Sequence, residues 1–100
     1  MIMETRGKTV RIDFCNLEVY PSIERSRSIK TDVHKFFADT IYQKGSGISA
    51  LALAMKIYNS GGETEYSLEE TELIQKYANE FGTPMFIDAI DNAIKRSGME

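Results

Sequence analysis

Between Thr9 and Phe14 apolar and polar residues alternate, with Val10, Ile12 and Phe14 on one face and Thr9, Arg11 and Asp13 on the other. Period two is the signature of a half-buried strand. Leu17 and Val19 continue the alternation one residue out of phase, which requires a bulge or tight turn at Cys15-Asn16. Pro21 has no N–H for a ladder and ends this run or lies on an edge. Ile23, Arg25, Arg27 and Ile29 alternate with Glu24, Ser26 and Ser28, which suggests a third, mostly solvated strand.

Four helical patterns follow. Over residues 31–44, Val33, Phe36, Phe37, Thr40 and Ile41 share one arc, with Lys35, Asp39 and Gln43 opposite. Thr31 is the expected N-cap, and Asp32 in the first turn complements the helix dipole. Over 48–59, Ile48, Leu51, Met55 and Tyr58 make one apolar face, and Ala50, Leu53, Ala54 and Ile57 make a second. A helix apolar almost all round is usually buried, so this one is expected at the centre of the helices, or with one face in an oligomer contact. Over 67–81, Ser67-Leu68-Glu69-Glu70 is a capping box, and Leu73, Ile74, Tyr77, Ala78 and Phe81 form the core stripe. Gly82 ends this helix. Thr83 caps the next one, over 84–97, with Pro84 at its first position and Phe86, Ile87, Ile90, Ala93 and Ile94 inward. Glu72 with Lys76 and Asp91 with Lys95 are spaced as i,i+4 ion pairs.

These elements predict an α+β fold, with an N-terminal antiparallel β-hairpin or three-stranded unit over residues 8–29 packed on a four-helix cluster. One domain spans residues 1–100, with residues 1–7 expected to be disordered.

Composition agrees with that picture. Of the 100 residues, 42% are hydrophobic and 27% charged, a balance that supports one core and argues against disorder. The longest strongly apolar stretch, Ile48 to Tyr58, contains Lys56 and falls short of the ~20 residues of a membrane span. Met1-Ile2-Met3-Glu4 lacks the pattern of a secretory leader, and the single cysteine, Cys15, fits a reducing compartment. A cytoplasmic protein without membrane association is expected.

Charge is uneven. Residues 1–60 carry net +3 and residues 61–100 net −6, giving −3 in all. Five of the acids (Glu63, Glu65, Glu69, Glu70 and Glu72) lie around the start of the third helix, where they are read as complementing its dipole.

Candidate chemistry is sparse. Cys15 and His34 are the sole thiol and the sole imidazole, and nothing in their spacing predicts that they meet, so no catalytic pair is assigned. With no CxxC or HxxxH spacing, no metal site is assigned, and no cofactor is implied. The carboxylate pairs Asp32/Asp39 and Asp88/Asp91 fall on solvated helix positions. Gly45-Ser46-Gly47 leads into a helix N-terminus and is a candidate anion-binding turn, although its spacing is that of neither a P-loop nor a dinucleotide fingerprint. The Phe81-Gly82-Thr83 junction suggests a helix-turn-helix, but Asp88 and Asp91 stand where buried aliphatics belong, and the last helix lacks the positive charge that phosphate contacts need. Arg11, Arg25, Arg27 and Lys30 on the strand unit are the better candidate contact patch.

The stretches Ile41-Tyr42-Gln43-Lys44, Lys56-Ile57-Tyr58-Asn59-Ser60-Gly61 and Thr83-Pro84-Met85-Phe86-Ile87-Asp88-Ala89-Ile90 resemble small uncharacterised bacterial proteins of gut Bacteroidetes and their mobile elements. The resemblance covers roughly residues 30–95, rests on cap and core positions, and implies neither an activity nor site residues. The expected function is therefore a small non-catalytic protein-interaction or accessory module, with a protein partner or a second copy as its target. The alternatives are a nucleic-acid-associated accessory protein using the basic strand unit, and a small ligand-binding protein or enzyme.

Overall fold

The structure, a computed structural model, describes residues 9–98; the expectation of disorder over 1–7 falls outside them. In chain order the elements are β1 (Thr9–Asp13), β2 (Leu17–Val19), β3 (Ile29–Thr31), α1 (His34–Lys44), α2 (Gly47–Tyr58), β4 (Glu63–Ser67), α3 (Leu68–Phe81) and α4 (Pro84–Gly98). The α+β class and the four helices match the sequence reading, but the strand pairing does not.

β1 does not form a hairpin with β2. It pairs antiparallel with β4, Val10 opposite Tyr66 and Arg11 opposite Glu65, while β2 pairs with β3, Leu17 opposite Thr31. The turn between β1 and β2 explains the change of phase. Asp13 accepts hydrogen bonds from the Cys15 and Asn16 amides at 3.0 and 3.2 Å, reversing the chain so that Phe14 and Leu17 are both buried. β1 offers its second edge to α4 instead of a strand: the Arg11 amide donates to Ser97 Oγ at 2.7 Å. A helix capping a strand edge satisfies the backbone and blocks further pairing.

The expected third strand is shorter than its alternation suggested. Arg25 adopts φ 57°, and its amide closes a turn onto Ser22 O at 2.9 Å. That left-handed residue breaks any strand across 23–28, and Ile23 is left in solvent. Thr31, expected as the cap of α1, is taken into β3. The N-cap position falls to Val33, which makes no side-chain cap bond, and Asp32 just before it accepts from the His34 amide at 3.2 Å.

The core is built around aromatic rings from three elements and the β1–β2 turn. Tyr66 of β4 meets Phe14 edge-on at 5.7 Å, Phe14 meets Phe37 of α1 at 5.5 Å, and Phe37 meets Phe86 of α4 at 5.0 Å. Ile12, Ile41, Leu53, Ile57, Ile74 and Ile90 are fully buried around them. The capping box forms as expected, with Glu70 N to Ser67 Oγ at 3.1 Å and Ser67 N to Glu70 Oε1 at 2.8 Å. Thr83 likewise caps α4, accepting from the Phe86 amide at 3.3 Å. Neither expected i,i+4 ion pair is among the contacts of the described residues; Asp88 instead pairs with Arg25, and Lys56 with Glu70.

Candidate functional site

α2 is not the central helix. Ala50, Leu53, Ala54 and Ile57 are buried, but the opposite face is open: Ile48 is 77% exposed, Met55 55% and Tyr58 46%. Its main packing partner is α1. Between the two helices runs a groove of about 320 Å³ lined by Ala38, Asp39, Tyr42, Ala54, Met55, Tyr58 and Asn59. Tyr42 also projects, 67% exposed, and Lys35 Nζ lies 5.8 Å from the Tyr58 ring centroid. Apolar side chains thus line the groove, with one acid and one base on the α1 side.

The turn joining these helices is Gly45-Ser46-Gly47. Gly47 takes φ +85°, which glycine adopts without strain. A Cβ on Gly45 would stand 2.6 Å from Ile41 O and 2.9 Å from Ala50 Cβ, with Tyr77 Oη at 3.2 Å. The glycines therefore serve a tight helix–helix turn. Ser46 at the N-cap makes no capping bond with its side chain.

The candidate basic patch is partly paired. Arg11 binds Glu65 across the β1–β4 ladder at 2.9 Å, and Arg25 pairs with Asp88 of α4. Lys30 stands opposite Glu18 in the β2–β3 ladder, and Glu18 also takes hydrogen bonds from Ser28, at 2.6 Å, and Arg96. Those two bonds hold the Glu18 carboxyl below its ordinary pKa. Arg27 is exposed and has no ion-pair partner among the described residues. Arg11 and Lys30 share the rim of an open groove of about 660 Å³ between the strands and α4, where Arg96 adds a third base and Asp13, Glu18 and Glu63 three acids. The groove has no net charge.

The structure brings together residues that spacing did not. The Val33 amide donates to Phe14 O at 2.8 Å, tying the β1–β2 turn to the start of α1. Cys15 lies next along the chain on one side of that bond, and Asp32 and His34 flank it on the other. One ligand atom from each of Cys15, Asp32 and His34 lies within 4.8 Å of the others. His34 Nδ1 is 2.5 Å from Asp32 Oδ1, which holds the Asp32 carboxyl below its ordinary range. Cys15 Sγ reaches Ser60 O at 3.7 Å; partial burial and the negative charges of Asp32 and Asp13 push its pKa up. Behind it the Tyr66 hydroxyl is buried without a hydrogen-bond partner, and burial pushes its pKa up to about 12. The signal for this cluster is the β2–β3 pairing, which folds residue 31 back onto residue 17.

Among the described residues no helix is long and apolar enough to cross a membrane. Comparison with protein-family models, with curated proteins and with solved structures returned no match.

Proposed function

We propose that this chain is a protein-interaction module of the cytoplasm, working through the α1–α2 face, and that the partner seated there is a second copy of the chain. The observation that carries this reading is the open apolar side of α2. Ile48, Leu51, Met55 and Tyr58 stay exposed although the helix has a complete buried face opposite. With Tyr42 they form one exposed apolar face beside the groove, the kind of patch that marks an interaction site. A polar rim brings such a patch toward the ~800 Å² per partner of a standard interface.

The patch suits a two-fold contact, in which the same residues meet on both copies. Lys35 and Asp39 lie four residues apart on α1 beside it, so antiparallel copies can pair the base of one with the acid of the other. A nucleic-acid role for the strand unit has less support, because Arg11 and Arg25 are engaged by Glu65 and Asp88. Sedimentation equilibrium from low to high micromolar concentration tests the main reading. A dimer that Met55→Lys converts to a folded monomer is the expected result; a clean monomer throughout would overturn self-association.

A further inference from the structure

We propose that Cys15, Asp32 and His34 form a binding site for a zinc-class divalent metal ion. The three side chains come from two segments: Cys15 from the turn after β1, Asp32 and His34 from the junction of β3 with α1. Their ligand atoms already lie within 4.8 Å of one another. Around a tetrahedral ion with bonds of about 2.0–2.3 Å, donor atoms stand roughly 3–4 Å apart. Small side-chain movements therefore close the site, the shortest contact, His34 to Asp32 at 2.5 Å, opening as the ion enters between them.

Two features fix the backbone beneath these ligands. The Val33–Phe14 hydrogen bond holds the segments in register, and Asp13 pins the Cys15 amide at 3.0 Å. The donor set selects the ion. Thiolate, imidazole and carboxylate together suit zinc, cobalt and related borderline ions, whereas calcium and magnesium take oxygen ligands. Charge balances too: the Cys15 thiol loses its proton to solvent on binding, so thiolate and carboxylate neutralise a dication, with His34 neutral. Asp32 is 59% exposed and His34 14%. The site thus opens to solvent on the Asp32 side, where a water or a partner's side chain completes four-coordination.

The test uses the full chain, reduced and stripped of metal with a chelator, and titrated with cobalt(II). The expected result is one cobalt per chain, with a near-ultraviolet thiolate-to-cobalt band and the visible bands of a tetrahedral ion, both abolished by one equivalent of zinc. Cys15→Ser should remove the charge-transfer band, and His34→Gln should weaken binding about tenfold or more. Glu80→Gln, an exposed position on α3 outside the cluster, should bind normally. Circular dichroism confirms that each variant is folded. A folded wild-type chain that shows no charge-transfer band at millimolar cobalt, or a band unchanged in Cys15→Ser, overturns the proposal.

Discussion

The Val33 amide donates to the Phe14 carbonyl at 2.8 Å, just beyond the Leu17–Thr31 end of the β2–β3 ladder. Phe14 is fully buried and touches both Tyr66 and Phe37. Opening that bond requires displacing part of the aromatic core. The Val33 amide should therefore exchange with solvent as slowly as strand amides, while the amides of 22–28 exchange fast; hydrogen exchange read by NMR checks this. Phe14→Ala should cost about 3–5 kcal/mol in urea denaturation, by loss of burial and the cavity left behind.

Gly45→Ala meets two immovable neighbours, a helix carbonyl and the Ala50 methyl. Overpacking of this kind costs about 1–3 kcal/mol. A drop in melting temperature is expected, whereas Ser46→Ala, beside it, should leave stability nearly unchanged because its side chain makes no capping bond.

Opposite faces of α2 should respond oppositely. Ile57→Ala, in the buried face, should destabilise by about 2–5 kcal/mol. Ile48→Lys or Met55→Lys should change monomer stability by no more than about 0.5 kcal/mol while lowering self-association. Equilibrium denaturation at low protein concentration, set beside sedimentation, separates the two effects.

Glu70 links the capping box to α2 through Lys56 Nζ at 2.9 Å. Burial raises its pKa, but the bonds from Lys56 and Ser67 outweigh this and leave it lowered. A carboxyl with a folded pKa below its unfolded value stabilises above the unfolded pKa, and that contribution is lost as pH falls through the folded value. Stability should therefore fall below the ordinary carboxylate range, about pH 4–4.5, and the fall should be shallower in Glu70→Gln. Melting temperatures from pH 7 to pH 3 measure it.

Strands were the harder part of this fold to read from sequence, and β4 shows why. Glu63-Thr64-Glu65-Tyr66-Ser67 alternates, but Tyr66 is its only buried apolar residue, and the acids beside a capping box resemble helix-dipole partners. Glu63 and Glu65 are in fact the outward face of a strand, and Glu65 binds Arg11. The helices were legible because four long apolar stripes and two caps carry redundant information. Phe36 shows where the helical reading overreached: periodicity set it on the inner arc of α1, yet it is exposed, because α1 has neighbours over Phe37, Ala38 and Ile41 only. The open face of α2 was legible as a choice between cover and contact; within the fold it stays uncovered, because α2 packs chiefly on α1. The Cys15 cluster was not legible, since its residues meet only through the β2–β3 register.

The partner of β1 arrives late. Its ladder joins residues 9–13 to residues 63–67, so during synthesis the first strand leaves the ribosome with neither edge occupied. α1 and α2 can pair as soon as residue 58 emerges, since their contacts are local, whereas β1 must wait for β4 and α4. Until then Val10 and Ile12 face water on an unpaired strand, the kind of surface that chaperones hold and that aggregates in their absence.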